Sequence, residues 1–128
     1  MNLIQELHQQ AMDLAEVAFT AKLRGDLEQM SILSRQAFEK EAQAAKLIAT
    51  DLNAEPTRSV LHRSAASLAI DCGELQAAEK LSATALTGNP PQELAEELKD
   101  LFIQINLQKY LERRGIHFDK ENLNNLIA

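Results

Sequence analysis

The stretch LHRSAASLAIDCGELQAAEKLSATALTGNP, from Leu61 to Pro90, decides how this chain is read. Two Ala-rich segments flank Gly73. Small residues recur one turn apart before the glycine, at Ala66 and Ala69. After it come the larger Leu75, then Ala78 and Ala85, with Pro90 at the end. Alanine and leucine lose little on entering a helix, and small side chains let two helices approach closely. A glycine between them can take the left-handed conformation that ends one helix and turns the chain into the next. The stretch therefore reads as an antiparallel helical hairpin.

Working outward, the same punctuation divides the rest of the chain. Gly25, Gly73, Gly88 and Gly115 each follow an apolar-periodic segment, where a left-handed residue can close a helix at no Cβ cost. Pro56, Pro90 and Pro91 each precede one, where a missing N–H costs nothing. Five helices are predicted, over Asn2–Arg24, Asp26–Leu52, Pro56–Cys72, Glu74–Thr87 and Pro91–Arg114. The first should bury Leu3, Leu7, Ala11, Leu14, Ala18 and Ala21. The second should bury Leu27, Met30, Leu33, Ala37, Ala44, Ile48 and Leu52. Residues 1–115 thus make one helical domain, and 116–128 a tail or short docking helix, with Asp119 as a candidate cap and Leu123, Leu126 and Ile127 on one face. Composition agrees: Leu and Ala supply 39 of 128 residues, the β-branched Val, Ile and Thr only 15. Short connections place successive helices antiparallel and side by side. A second helix reaching Leu52 would be ~40 Å long at ~1.5 Å per residue. That exceeds the ~36 Å diameter of a compact chain of this size and argues for an elongated domain or a second subunit.

The 13 Lys and Arg against 19 Asp and Glu give a net charge of −6, so no basic field draws nucleic acid or anionic lipid. No apolar run approaches the ~18 residues of a membrane span, and the opening MNLIQELHQQ lacks the basic-then-apolar layout of a secretion signal. One cysteine excludes an internal disulfide and suits a reducing compartment. These features lead us to expect a cytoplasmic protein with neither membrane nor nucleic acid as partner.

The spacing of small residues from Leu61 to Pro90 resembles the tetratricopeptide repeat, a two-helix unit that stacks into a superhelix. Leu14 to Ala42 is a second, looser match, through Ala18, Ala21, Gly25, Leu27 and Ala37, with Met30 where a small residue is usual and Ala42 where proline is usual. The chain departs from the pattern in three ways. Its two turn glycines lie 48 residues apart where the family's period is ~34. The second helix is long, and His62 and several alanines stand where large aromatics are usual. Glu55 to Gly73 also resembles a segment of helical bacterial proteins, a likeness that attaches no function. The resemblance implies an all-α fold of antiparallel helix pairs stacked as an α-α superhelix. It implies a non-enzymatic module whose groove takes a protein or peptide. Carried over residue by residue, that groove is Phe19, Lys22, Leu23, Arg63, Ser67 and Ile70, with Lys22 and Arg63 suiting an acidic or carboxylate-ending peptide.

Residues placed for chemistry are sparse in this sequence. His8, His62 and His117 have Gln5, Ser59 and Arg114 three residues earlier, so the Glu-x-x-His pair of carboxylate-bridged metal sites is missing. Cys72 has no partner cysteine for zinc, and its acidic flank, Asp71, disfavours a thiolate. No Gly-rich loop opens a helix to cradle phosphate. Glu93, Glu96, Glu97 and Asp100 complement the positive end of the fifth helix, as Lys109, Arg113 and Arg114 complement its negative end. Arg58 and His62 share a helix face and resemble the Arg-then-His pair of a class of helical ribonucleases, though with three residues between where that class has four to six. The plainer reading pairs Arg58 with a carboxylate and lets His62 fill a helix crossing.

No catalytic residue, metal ligand or cofactor is therefore assigned. The alternatives are a self-assembling or toxin–antitoxin-type regulatory component, and a ribonuclease-like enzyme using Arg58 and His62. On the fifth helix Leu94, Leu98, Leu101 and Ile105 should face the core, with Phe102 at the edge. Ile103, Leu107 and Tyr110 lie nearly opposite, where a surface helix would be polar. We expect that face to be covered by a second subunit in a homodimer, with the tail involved.

Overall fold

A computed structural model of the chain describes residues 2–115. Five helices account for most of them: α1 (Leu3–Leu23), α2 (Leu27–Ile48), α3 (Thr57–Asp71), α4 (Leu75–Leu86) and α5 (Gln92–Arg113). The described residues contain no strand. Each helix packs on the next in sequence, and α5 also reaches back to α3. The fold is all-α, a series of packed helical hairpins. The tail, 116–128, lies outside the described residues, and with it the expected Asp119 cap and His117.

Local chemistry explains the starts and stops. Asn2 and Gln5 cap α1 reciprocally, each side chain accepting the other's backbone N–H at 2.9 and 3.1 Å. Asp26 accepts the Gln29 N–H at the start of α2. Between them Gly25, and likewise Gly73 between α3 and α4, takes a left-handed φ of 79° and 84° respectively, so each hairpin turns in three residues.

The interior is built mainly of alanine. Ala11, Ala21, Ala37, Ala44, Ala45, Ala65, Ala66, Ala69, Ala78 and Ala85 are fully buried. Such small contacts permit close helix approach but remove less apolar surface from water than leucine would. One cluster joins Leu7 of α1, Ala44, Ala45 and Ile48 of α2, and Leu61 and Ala65 of α3. The other joins Ala66 and Ala69 of α3, Ala78 of α4 and Ile105 of α5, with Phe38, Ile70, Leu75 and Leu101 against it. The core stripe expected on α5 is present, with Leu94, Leu98 and Ile105 buried.

Several expectations need correction. The second helix stops at Ile48 rather than Leu52. There the chain enters tight turns, in which Asp51 donates its N–H to the Ile48 carbonyl and accepts the Asn53 N–H on its side chain. An Asx side chain that satisfies nearby backbone competes with helix. Leu52 is accordingly exposed, as are Leu3 and Leu27 at the other helix ends. At 22 residues, α2 is ~33 Å long and fits within a compact chain, so helix length does not require a second subunit. Gly88 is not left-handed; its reason lies in Arg58, below.

Candidate functional site

Antiparallel packing brings the end of α2, the start of α3 and the end of α4 together at one end of the molecule. Arg58, in the first turn of α3, sits among them at 2 % exposure. Its Nε donates to the Ala49 carbonyl at 2.8 Å, Nη2 to Thr84 at 3.0 Å and Nη1 to Ala85 at 3.4 Å. One guanidinium thus closes the carbonyl ends of two helices, where a cation also meets the negative ends of their dipoles. Glu55 Oε1 stands 3.9 Å from Nη1 and has no hydrogen-bond partner among the described residues, while Oε2 accepts from Ser59 Oγ at 2.6 Å. A methyl at Gly88 would overlap Arg58 Nη1. That position needs glycine for space, not for φ.

His62 follows one turn later, 1 % exposed, its Nδ1 donating to the Arg58 carbonyl at 2.7 Å. Burial holds its pKa below the ordinary histidine value. Arg58 and His62 are therefore adjacent, as their spacing predicted, but both are withdrawn from solvent and their donors are committed to backbone. This geometry offers no surface for RNA to meet.

The proposed groove residues divide. Phe19 and Lys22 of α1 and Ile70 of α3 line one cavity of about 330 Å³, together with Ala15, Ala18, Met30, Ser34, Leu68 and Asp71. Phe19 and Lys22 are exposed and Ile70 is half-buried. Leu23, 72 % exposed, and Ser67 do not line it. Arg63 is turned to α5, where it pairs with Glu97 at 2.6 Å.

A second cavity, about 180 Å³, lies between the opposite ends of the same two helices. Ile4, Gln5 and His8 of α1 face Pro56, Thr57, Val60 and Leu61 across it. The N-terminal halves of α1 and α3 thus share one cavity and their C-terminal halves the other. Each antiparallel to α2, the two helices run in the same direction, and the line between them, here called the furrow, carries the two separate cavities. Beside it is a residue that sequence reasoning missed. Glu41 of α2 is fully buried, and both of its oxygens lie 2.9 Å from His8 Nδ1. A Glu amid an apolar periodicity, opposite a His on the neighbouring helix, was the available signal.

Elsewhere several charges pair along or between helices. Arg35 pairs with Glu74 at 2.9 Å and donates to the Cys72 carbonyl at the end of α3. Lys109 pairs with Glu79 at 2.9 Å, and Arg113 and Arg114 lie over the Tyr110 ring. Glu96 of the acidic run pairs with Lys99. Burial raises the Cys72 thiol pKa. Among the described residues no group of three or more His, Cys, Asp or Glu could hold a metal ion, and no helix is long and apolar enough to cross a membrane. On α5, Ile103 and Tyr110 are exposed and Leu107 half-buried, so the second apolar face exists.

The class the fold defines is an all-helical protein of packed hairpins. No known protein family, curated protein or solved structure matches the chain.

Proposed function

We propose that this protein is a non-enzymatic interaction module, of tetratricopeptide-like superhelical design, that holds a peptide segment of a protein partner in the α1–α3 furrow. The observation that carries this reading is the meeting of Phe19, Lys22 and Ile70, three residues chosen from the repeat resemblance, around one cavity of about 330 Å³. Apolar walls with a cation at the rim suit an apolar side chain followed by an acidic group. The half-exposed face of Ile103, Leu107 and Tyr110 supports self-association into a homodimer as a separate property of α5.

Selection of displayed peptides on the wild-type protein tests the furrow. Selected binders should be enriched in apolar residues beside Asp or Glu. They should lose about tenfold or more in affinity for a Phe19→Asp, Lys22→Glu variant, whose melting temperature should stay near wild type because both side chains are exposed. Binders indifferent to that variant would place recognition elsewhere.

A further inference from the structure

Left-handed glycines fall at one kind of connection. Among the described residues they are Gly25 between α1 and α2, Gly73 between α3 and α4, and Gly115 after α5. The connections from α2 to α3 and from α4 to α5 contain no residue of positive φ. The conformation thus marks the turn inside a hairpin, and Gly115, at φ 73°, makes that same turn. Its N–H donates to the Glu112 carbonyl at 3.0 Å, three residues back, as Gly25 does to Lys22 and Gly73 to Ile70. The residue before it donates four back, Arg114 to Tyr110, as Arg24 does to Thr20 and Cys72 to Leu68.

The sequence after the three glycines shares a register. Eight positions on stand Leu33, Leu81 and Leu123, and twelve on stand Ala37, Ala85 and Ile127. In the first two hairpins these positions are inward: Leu33, Ala37 and Ala85 are buried, and Leu81 packs against both core clusters. The third segment differs at its opening. Asp26 and Glu74 start their helices directly after the glycine, where the third segment has Ile116, with Asp119 as its candidate cap. An apolar residue just past a left-handed glycine commonly packs back on the helix it leaves. Here that meets Leu111. On the first helices, the positions four and seven before the glycine are buried, Ala21 and Ala18 in α1, Ala69 and Ala66 in α3. On α5 they are Leu111 and Gln108, with Leu107 beside them, all half-buried and outside both core clusters.

We propose that residues 116–128 complete a third hairpin, docking antiparallel on the Leu107–Leu111 side of α5 in the same molecule, with Leu123 and Ile127 turned toward that helix. The reach is sufficient. Leu107 lies eight positions before Gly115 and Leu123 eight after it, so the two stand level in an antiparallel pair. Glu121 and Asn125, opposite the Leu123 face at 100° per residue, then point outward. A polar outer face is what the closing unit of a stacked-helix array requires. This docking is independent of the furrow. Ile103 and Tyr110 lie about 80–100° further round α5 from Leu111, so the docked segment leaves them to the homodimer contact.

The test uses the full chain, labelled on the Leu and Ile methyls. Nuclear Overhauser contacts should join Leu123 to Leu107 and Ile116 to Leu111. They should vanish in a filtered experiment on a mixture of labelled and unlabelled copies, which reads only contacts between molecules. Leu123→Asp with Ile127→Asp should speed amide exchange in the last two turns of α5 about tenfold or more, because the covering segment is released. Asn125→Asp, on the outward side of the segment, should leave that exchange at the wild-type rate. Contacts that persist in the filtered experiment would assign the face to the tail of a second copy and overturn docking within one molecule. Absence of the contacts, or α5 exchange indifferent to the paired variant, would overturn the third hairpin itself. Equal acceleration by Asn125→Asp would also overturn it, because the register of Leu123 and Ile127 would then be wrong.

Discussion

Arg58 and Glu41 are both buried charges set between helices, yet they are built into the molecule in opposite ways. Arg58 donates to three carbonyls from two other segments and lies beside Glu55, wholly inside the protein. Among the described residues Glu41 has a single partner, His8, and that partner stands partly in solvent at a cavity. A charge whose three nitrogens each donate to backbone holds structure together. A charge paired with a half-exposed ring leaves its partner within reach of solvent. Both meet at the start of α3: its Arg58 side is closed, and its His8 side opens on a cavity.

The largest expected effect breaks the closed end. Arg58→Met strands the Ala49, Thr84 and Ala85 carbonyls and leaves Glu55 Oε1 buried with no cation. Removing one partner from a buried charge network costs about 3–5 kcal/mol. Urea unfolding followed by circular dichroism should show that loss. The His8→Phe, Glu41→Leu pair, which exchanges a buried pair for apolar volume, should stay within about 1 kcal/mol of wild type. If the two variants were equally damaged, Glu41 would be as structural as Arg58 and the contrast would be lost.

This contrast also marks what the sequence could convey. The hairpin from Leu61 to Pro90 was legible because its information is local: a glycine at the turn, alanines one turn apart, a closing proline. All its marked alanines are buried, and Phe19, Lys22 and Ile70 were reached through the same register. The end of α2 was misplaced because Leu52 continues the apolar period, while the turn around Asp51 depends on side-chain bonds that compete with helix. Gly88 was misread for a different reason. A glycine after a helix looks the same whether it supplies φ or makes room for a distant guanidinium. The pairing of Arg63 with Glu97 is not legible in the sequence, because Glu97 lies 34 positions away and no local pattern announces it. Glu41 was passed over because its partner comes from another helix.

A smaller effect sharpens the close packing at the closed end. Ala85 is fully buried on α4, and its carbonyl receives Arg58. Ala77, on the same helix, is half-buried. Ala85→Leu should cost about 1–3 kcal/mol by overpacking, with some displacement of the guanidinium, whereas Ala77→Leu has solvent to expand into and should cost clearly less. Thermal melts of the two variants compare them directly. Equal melting temperatures would mean that Ala85 does not sit at a close crossing.

The smallest expected effect concerns pH and belongs to His62. Burial first, and the neighbouring Arg58 charge in part, hold its folded pKa below the ordinary value. The unfolded chain titrates near 6.5. As pH falls through that value, the unfolded chain binds a proton that the folded ring resists, so folding loses stability toward acid and recovers it above about pH 7. A single such group changes stability by at most about 1.4 kcal/mol per pH unit. His62→Gln removes the titration, and its carboxamide N–H keeps a donor for the Arg58 carbonyl. The difference in urea midpoint between wild type and variant should therefore drift between about pH 7 and about pH 5.5, with the wild type losing ground as acid is added. A constant difference across that window would mean that His62 accepts its proton in the folded state as readily as in the unfolded one. The closed end would then admit water that its geometry excludes.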